Sequence, residues 1–357
     1  MSPSALARVC ALACACALAC LAPPARGWSS SGHMQIASFA YDALNESQRA
    51  ELVRLLRQHP RFAEDFQSKL PAELRTDAER ARWIFLWASV WPDLVKGQPA
   101  YERGPWHYVN LPLSLRAGTL ATCAEARVAL PESQRRAARE RAARRRAAPS
   151  PPAVSAAGSG AELTPSEPEE IRTAWAWARR TLADPARPAP QRALALAWLL
   201  HLVGDAHQPL HAVALFTEPR FPLGDHGGND ILAGTLPLHR VWDGLLGDDV
   251  ALPLVQQQAR GWLADAELRS LASSAVQELE IDPWLDEDCA LARRSVYTKS
   301  VLAAVQRADS NALDAKPEVS LGEAYLAEAR RAAQRRAVMA GARLAAILKG
   351  LRSPAGR

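Results

Sequence analysis

Residues 191–211 read QRALALAWLLHLVGDAHQPLH and join an apolar helical stripe to a run of histidine and aspartate side chains. The stripe recurs at helical spacing, at Leu194, Ala197, Trp198, His201 and Asp205. Because His201 and Asp205 are four residues apart, they lie on one helix face, where an imidazole and a carboxylate can share a cation. Pro209 should interrupt the helix and turn His211 away from that line. The stretch predicts a helix whose apolar stripe ends in potential metal ligands.

The rest of the chain has the same helical character. Alanine and leucine are abundant, runs of β-branched residues are scarce, and proline or glycine separates the periodic segments. A second apolar stripe near the C-terminus contains no potential ligand or catalytic residue and therefore indicates a structural helix. Its residues are Leu326, Ala329, Ala333, Ala337, Ala340, Leu344 and Ile347. With 48% hydrophobic residues the chain can form a substantial core. We predict an all-α fold, with a single mainly helical domain over residues 28–352.

The first 27 residues have the pattern of a signal peptide. Arg8 precedes an apolar run from Val9 to Ala22, and two prolines and the small-residue end Ala25-Arg26-Gly27 follow it. The run is too short to remain as a membrane anchor in the mature protein. Cleavage would make Trp28 the first residue and predicts a secreted or periplasmic protein. Lipidation of Cys20 is the competing interpretation.

Four of the six cysteines lie inside this leader, which leaves Cys123 and Cys289 in the mature chain. Two thiols in an oxidising compartment tend to pair, and closing so long a loop would stabilise the fold by about 2 to 4 kcal/mol. A single long-range disulfide is therefore predicted. The alternative is two unrelated buried cysteines.

The basic balance of the chain is local. The formal net charge is +5, yet eight arginines and two glutamates fall between Arg127 and Arg146. From about residue 135 to 161 the sequence changes to Arg/Ala repeats and then to a Pro-, Ala-, Gly- and Ser-rich run, which predicts a solvated helix that continues into a disordered insertion. A basic arm that gathers polyanions is the functional alternative. The net charge therefore says little about the functional surface.

Six of the eight histidines lie in short motifs with tryptophan, aspartate, glycine or proline: His33, His107, His201, His207, His211 and His239. His239 and Asp243 repeat the four-residue spacing of the first pair. A lone histidine more often belongs to a buried polar network than to a metal site. Several His/Asp pairs without a thiol cluster suit zinc, and clustered divalent ions can clamp the attacking and leaving oxygens of a phosphoester.

The order of these motifs resembles the trinuclear-zinc, single-strand-specific nucleases and 3′-nucleotidases, which belong to the phospholipase C and nuclease fold. The matching motifs are Trp28 to His33, Trp-Pro-Asp93, Trp-His107-Tyr-Val-Asn, the run from His201 to His211, Gly-Gly-Asn229 and Leu-His239-x2-Trp-Asp243. The resemblance runs from Trp28 to about Asp243 and is interrupted by the predicted insertion. It implies an exported phosphoesterase that acts on single-stranded nucleic acid or nucleotides, without a stable protein partner.

The resemblance also implies three zinc ions. The first would be held by Asp93, His107, His201 and Asp205. The second would take the α-amino group and carbonyl oxygen of Trp28, with His33 and the bridging Asp205, and the third would be held by His211, His239 and Asp243. Because a neutral α-amine can donate to a metal and titrates near pH 8, cleavage before Trp28 would be an activation step.

The implied reaction is metal-assisted hydrolysis that leaves a 5′-phosphate. Asp93 would orient the attacking water, and Lys96 stands where the family commonly has arginine, so it offers a point charge in place of a bidentate fork. Tyr108 and Asn110 match positions that stack on a base and hydrogen-bond to its edge. Asn110 replaces an aspartate of the fungal enzymes, so base preference does not carry over.

Two other functions are compatible with the sequence. A phospholipase C-like phosphodiesterase shares the fold and the metal cluster. The short spacing between Trp28 and His33, aspartate at position 243, and the lack of an exposed aromatic amphipathic segment favour the nuclease. The other alternative is a non-catalytic zinc-binding or nucleic-acid-binding protein, which would need neither Asp93 nor Lys96.

Overall fold

The structure is a computed structural model that describes residues 27–116, 118–121, 169–218, 220–310 and 315–351. Residues 1–26 of the predicted leader, the predicted insertion and Cys123 lie outside these ranges. Cys289 is buried and disulfide-bonded. Because Cys123 is not among the described residues, its pairing with Cys289 stays a prediction.

Helices form most of the described chain, which confirms the predicted all-α fold. In chain order they are α1 Ser30–Ala43, α2 Glu46–Leu56, α3 Asp77–Ala88, α4 Trp91–Leu94, α5 Ile171–Ala183, α6 Ala189–Asp205, α7 Pro209–Ala212, α8 Leu238–Asp243, α9 Leu252–Ala264, α10 Ala266–Ala275, α11 Ile281–Leu291, α12 Lys299–Ser310 and α13 Glu323–Lys349. Shorter turns lie between them, with π-helical geometry at Phe62–Phe66 and Ala292–Val296 and 3-10 geometry at Gln67–Lys69, Gly104–His107 and Gly244–Leu246.

Local sequence signals set the starts of the first helices. Ser29 caps α1 by accepting a hydrogen bond from the Gly32 amide at 3.3 Å. Reciprocal capping boxes begin α2, between Asn45 and Gln48, and α3, between Thr76 and Glu79. Each such cap stabilises its helix by about 1 kcal/mol.

Two small sheets, which the sequence did not predict, accompany the helices in the described residues. The first has the order β2-β1-β3, with β1 Leu111–Arg116, β2 Thr119–Leu120 and β3 Val213–Phe216. The second has the order β5-β4-β6, with β4 Leu232–Ala233, β5 Leu236–Pro237 and β6 Glu318–Val319. Because β1 and β3 are parallel and Leu111 pairs with Val213, the two chain segments that precede these strands lie side by side. That register brings the segment of His107 next to the segment of His211.

The helix predicted from residues 191–211 lies at the centre of the core. Every residue of α6 from Ala195 to Asp205 is buried. The predicted stripe of α13 is confirmed from Ala329 onwards, while Leu326 is half-buried. Gly341 lets α13 approach α1, since a Cβ there would lie 2.8 Å from Phe39.

One cluster of buried hydrophobic residues extends from Trp28 to Leu348. The domain limits at residues 28 and 352 stay predictions. In the part of the chain that the structure describes, no helix is both long and apolar enough to cross a membrane.

Candidate metal centre

The predicted ligand side chains converge around the C-terminal end of α6. They come from α1, α4, the turn Gly104–His107, α6, α7 and α8, and they are His33, Asp93, His107, His201, Asp205, His211, His239 and Asp243. All eight are buried, and Asp93 is the most exposed at 8%. A group of five imidazoles and three carboxylates that is removed from water needs compensating charge.

Asp205 is the hub of the group. Its Oδ2 lies 3.0 Å from His107 Nδ1 and 3.0 Å from His201 Nε2. Its Oδ1 faces the other way, 3.3 Å from His33 Nε2 and 3.7 Å from His211 Nδ1. The two oxygens of one carboxylate therefore face different imidazoles, which is the arrangement that a bridging ligand requires.

Asp93 completes one side of this hub. Its Oδ1 lies 3.8 Å from His107 Nδ1 and 3.9 Å from His201 Nε2. Lys96, one turn further along the chain, places Nζ 2.6 Å from the same oxygen, and its side chain is only 11% exposed. The predicted partners Asp93 and Lys96 are thus in direct contact at the edge of the group.

Backbone carbonyl groups fix the orientation of three imidazoles. In each case the ring Nδ1 donates to a carbonyl oxygen at 2.7 Å, with His201 paired to Ser89, His211 to His107 and His239 to Gly227. Because a carbonyl can only accept, Nδ1 of each ring carries a proton, and in the neutral form of the ring the Nε2 lone pair points into the group. This hydrogen-bond pattern is typical of metal-ligating histidines.

His211 and His239 give the clearest sign of a cation site. Their Nε2 atoms lie 3.2 Å apart, although both carry lone pairs once Nδ1 is protonated. Asp243 Oδ2 lies 3.6 Å from His239 Nε2 and has no hydrogen-bond partner among the described residues. Three electron-pair donors at this separation repel one another unless a cation lies between them.

Other buried donors of the group also lack a hydrogen bond of acceptable geometry. Within the described residues they include both ring nitrogens of His33, Nε2 of His107, and Oδ1 of Asp205. An unsatisfied buried polar atom costs about 1 to 3 kcal/mol, so native proteins rarely keep several together. Coordination to metal ions would satisfy these atoms.

The donor atoms form three groups in which all atoms lie within 4.8 Å of one another: His33, Asp93 and His201; His107, His201 and Asp205; and His211, His239 and Asp243. The third group is the predicted set of the third zinc, and the second is contained in the predicted set of the first. The first group instead mixes residues that the prediction assigns to two ions. Stacking of the His33 and His201 rings, with centroids 4.1 Å apart, explains that proximity.

Burial keeps two imidazoles neutral. Desolvation lowers the pKa of His33, and it lowers the pKa of His107 to about 4. For His201 burial also acts downwards, but the carboxylates of Asp205 and Asp93 outweigh it and raise the pKa. A neutral imidazole is the form that binds metal, so His33 and His107 are ready to coordinate at neutral pH.

The three carboxylates respond differently to burial. Burial opposes ionisation of Asp93 and Asp205, but the effect of neighbouring cationic groups, chiefly His201, is larger. These groups lower the pKa of Asp93 to about 2 and that of Asp205 well below its usual range. Burial raises the pKa of Asp243 well above its usual range, and the hydrogen bond from Gln208 only partly offsets it. Asp243 therefore depends most on an added cation to stay ionised.

Trp28 and the residue before it lie against the hub. Trp28 is fully buried, and the Ser29 amide donates to Asp243 O at 2.9 Å. A Cβ at Gly27 would lie 1.8 Å from Asp205 Oδ1 and 2.9 Å from His33 Nε2. The chain at residue 27 therefore occupies the space between two predicted ligands of the second zinc.

Tyr108 and Asn110 follow His107 directly in the chain. Tyr108 is half-buried and its carbonyl accepts from the Ile171 amide at 3.2 Å, while Asn110 is exposed where β1 begins. The structure thus puts both residues beside a predicted ligand. Their predicted base contacts stay predictions.

Two residues that the sequence patterns did not indicate arrange the ligands. Gln208 is fully buried and donates to Asp243 Oδ1 at 2.7 Å. Gly204 gives His33 room against α6, since a Cβ there would lie 2.6 Å from His33 Nδ1. A glycine within a helix costs about 1 kcal/mol relative to alanine, and this cost is the signal that would have marked Gly204.

The loop at residues 224–230 is held by a buried carboxylate. Asp225 accepts from the Leu215 amide at 2.8 Å and from the Tyr297 hydroxyl at 2.7 Å. At Gly227, which has φ of 62°, a Cβ would lie 2.3 Å from Leu210 O. Because Gly227 O orients His239, the anchored loop acts directly on the third group.

His207, which the sequence did not assign as a ligand, connects the ligand turn to α13. Its Nδ1 donates to Val203 O at 2.7 Å, and its Nε2 accepts from Arg343 Nη1 at 2.8 Å. Arg336 Nε approaches His207 O at 3.5 Å, and both arginines pair with Glu287. The turn after Asp205 therefore rests on side chains of the last described helix.

The S1/P1 Nuclease family model matches residues 28–353. Endonuclease 4 of Arabidopsis thaliana is 29% identical over 159 residues, which cover 43% of this chain and 49% of the relative. The matched part thus spans about half the length of that curated relative.

Proposed function

The chain belongs to the S1/P1 nuclease family, and we therefore propose that it is a zinc-dependent endonuclease and 3′-nucleotidase. It hydrolyses single-stranded DNA or RNA and 3′-nucleotides, and its nuclease products carry a 5′-phosphate. The observation that carries the proposal is the convergence of eight buried imidazole and carboxylate side chains around Asp205, with the Nε2 atoms of His211 and His239 only 3.2 Å apart.

The donor chemistry supports zinc. The eight side chains offer only imidazole nitrogens and carboxylate oxygens, which suit zinc at a catalytic site, whereas structural zinc sites more often use thiolates. We assign the first ion to Asp93, His107, His201 and Asp205, the second to Trp28, His33 and Asp205, and the third to His211, His239 and Asp243. Bound zinc would supply an activated water and stabilise negative charge on the phosphoryl and leaving oxygens.

The protein's own residues then complete the reaction. Asp205 fixes the spacing of the ligand sets through its two oxygens, and Asp93 accepts a hydrogen bond from the attacking water and aims it at phosphorus. Lys96, 2.6 Å from Asp93 Oδ1, neutralises charge on a phosphoryl oxygen that enters this edge. A lysine ammonium cannot bind two oxygens in parallel as an arginine guanidinium does. The ordered position of Lys96 offsets part of this difference.

Substrate contacts belong to the segment after His107. Tyr108 provides a stacking face for a base, and Asn110 provides an amide that both donates to and accepts from a base edge. These contacts favour unpaired bases, because a base within a duplex does not expose its face.

Processing before Trp28 is part of the same proposal. A leader of residues 1–27 would be removed on export, so that the α-amine and carbonyl oxygen of Trp28 become ligands. The support is the position of Gly27, whose Cα lies close enough to Asp205 and His33 that no side chain fits there. An unprocessed chain offers an amide nitrogen, which does not donate a lone pair to zinc.

The test compares three purified proteins that begin at Trp28, at Gly27, and at an alanine in place of Gly27. Zinc per chain is measured by elemental analysis, and hydrolysis is measured with single-stranded DNA, RNA and 3′-AMP. We expect three zinc ions and cleavage for the Trp28 form, and one ion fewer with strongly reduced cleavage for the extended forms, most severely with alanine.

Asp205→Asn in the Trp28 form serves as the matched control, because it preserves shape but removes the bridging charge. It should lose zinc and activity together. Equal zinc contents in all three proteins, with no cleavage of any of the substrates, would refute both the terminal ligand and the nuclease assignment.

A further inference from the structure

A second candidate site lies outside the metal centre, in a cavity of about 650 Å³. The hairpin residue Thr119, the π-helical turn Ala292–Val296 and the first turn of α12 line it. Its polar lining is formed by Thr119, Arg293, Arg294, Thr298, Lys299 and Ser300. None of these residues belongs to the predicted ligand set.

Three cationic side chains, Arg293, Arg294 and Lys299, converge on this one cavity. Among the described residues, no carboxylate lies within 4.0 Å of Arg293, Arg294 or Lys299. Glu328, whose pKa Arg294 helps to lower, is already bound to Arg331 at 2.7 Å. Some other surface arginines are paired with a carboxylate, as in Arg172 with Glu170, Arg179 with Glu280 and Arg335 with Glu267.

Arg293 adds an unsatisfied buried donor. Its Nε is buried and has no acceptor among the described residues, although the residue as a whole is only half-buried. Leaving a charged group's donor unpaired is costly, so an acceptor in the cavity would stabilise it. A guanidinium fork is suited to the oxygens of a phosphate group.

The backbone around the cavity also favours anions. Thr298, Lys299 and Ser300 stand at the start of α12, where the first N–H groups of a 12-residue helix have no partner within the helix. The hydroxyl groups of Thr298 and Ser300 lie 3.0 Å apart and add donors to the same rim. Arg293 and Arg294 sit on a π-helical turn, a local distortion that often occurs at functional sites.

The position of the cavity relates it to the candidate metal centre. β1 begins beside Asn110, and its far end pairs with Thr119 on the cavity rim. At about 3.3 Å per residue, the six residues of β1 span roughly 20 Å. Tyr297, which lines the cavity, donates to Asp225, and Asp225 anchors the loop that orients His239. An extended strand a few nucleotides long is sufficient to reach from one site to the other.

We propose that this cavity binds the phosphate groups of a single-stranded nucleic acid whose cleaved bond lies in the metal centre. The inference rests on the proposed nuclease function and names where the flanking part of the substrate binds. Arg293, Arg294 and Lys299 contact the phosphates, and the hydroxyl groups of the rim add neutral hydrogen bonds. Long substrates therefore bind more tightly than mononucleotides.

The test uses the zinc-loaded protein with Arg293→Gln, Arg294→Gln and Lys299→Gln combined. The matched control combines Arg54→Gln, Arg260→Gln and Arg330→Gln, which remove the same charge from exposed helix positions. Steady-state kinetics are measured with a 20-nucleotide DNA and with 3′-AMP. We expect the cavity variant to raise KM for the 20-mer about tenfold at low salt without changing kcat, and to leave both constants for 3′-AMP unchanged.

Salt dependence gives a second readout that a merely structural role would not change. Each phosphate contact to a single strand contributes about 0.7 to the slope of log affinity against log salt concentration. Fluorescence anisotropy with a hydrolysis-resistant phosphorothioate 20-mer should therefore show a slope smaller by about 2 in the cavity variant. The control variant should keep the slope of the unaltered protein.

Three outcomes would overturn the proposal. They are equal loss of 20-mer affinity in both variants, no change in either, and loss of inorganic phosphate binding in the cavity variant while the 20-mer constants stay the same. The last result would mean that the cavity takes free phosphate and not a strand. If the unaltered protein cleaves neither substrate, the nuclease assignment fails, and anisotropy still decides whether the cavity binds a strand.

Discussion

At the scale of single residues, the candidate centre depends on side chains that never enter the ligand set. Gln208 is the clearest case, because its amide nitrogen donates to Asp243 while its amide oxygen accepts from the Leu210 amide at 2.6 Å. One buried side chain therefore orients a carboxylate and starts α7, which carries His211. The amide of glutamine fits both tasks because it donates and accepts at once.

Replacing Gln208 by leucine should weaken the third ligand group. Loss of a hydrogen bond to a metal-binding carboxylate typically costs about 10- to 100-fold in metal affinity. Competition with a chromophoric chelator should show one weakened zinc ion out of three. Gln257→Leu on the exposed face of α9 is the control, and equal zinc affinities in both variants would contradict the assigned role.

Asp225 gives the fold a pH dependence of its own. Burial raises the pKa of its carboxyl group to about 6, and the hydrogen bonds from Tyr297, Leu215 and Gly228 only partly offset this. A folded-state pKa above the ordinary value of 3.8 means that the stability contribution is complete below pH 3.8 and is lost as pH rises through 6.

Asp225→Asn removes this titration. Between pH 4 and pH 7.5 the unaltered protein should lose up to about 3 kcal/mol in free energy of unfolding relative to the variant. Urea unfolding of the metal-free proteins at both pH values measures the difference. A constant difference between the two proteins would show that Asp225 keeps an ordinary pKa.

At the scale of elements, close approach of α1 and α13 depends on a single glycine. Gly341→Ala would place a methyl group 2.8 Å from Phe39, so one helix must shift or Phe39 must change rotamer. We expect a loss of about 1 to 3 kcal/mol of stability in denaturant unfolding. Gly261→Ala in α9 meets nothing within 4 Å and should gain about 0.5 to 1 kcal/mol. Similar effects of the two substitutions would contradict the packing argument.

Elements defined by local periodicity could be predicted, and those defined by distant partners could not. The helix ending at Asp205 and the stripe of α13 follow from spacing at 3.6 residues per turn, which is written in consecutive residues. The parallel pair of β1 and β3 joins Leu111 to Val213, about a hundred residues apart, and neither strand has a strong alternating pattern. The same limit applies to the support that Arg343 gives to His207, since no local rule relates residues so far apart.

At the scale of the whole molecule, we expect the buried centre to make stability depend on metal. Ligand binding to the folded state alone stabilises it by about 2.7 kcal/mol for each site when free metal is 100 times the dissociation constant. Treatment with a chelator should lower the Tm by several degrees, and added zinc should restore it. Calorimetry of Asp205→Asn should show a smaller response, and an unchanged Tm in the chelated unaltered protein would contradict metal binding.

The sequence located the candidate site better than it located the contacts that build it. The structure brings together all eight predicted ligand side chains. They could be predicted because histidine and aspartate in short motifs are recognisable by residue type and spacing. Gly27, Gly204 and Gln208 could not be recognised in this way. Their roles depend on the lack of room for a Cβ at the two glycines and on one hydrogen bond of Gln208, which only the folded chain defines. The terminal ligand and the base contacts stay predictions for the experiments above.

The support of the ligand turn by α13 sets the order in which the protein can mature. The proposed ligands run from residue 28 to Asp243, whereas Arg343, which hydrogen-bonds His207 in the turn after Asp205, is synthesised 100 residues after the last ligand. A ribosome adds about 5 to 20 residues per second, so about 5 to 20 seconds separate synthesis of the last ligand from synthesis of its support. We therefore expect the centre to stay incomplete on the nascent chain and the metal to bind only after the completed chain has folded.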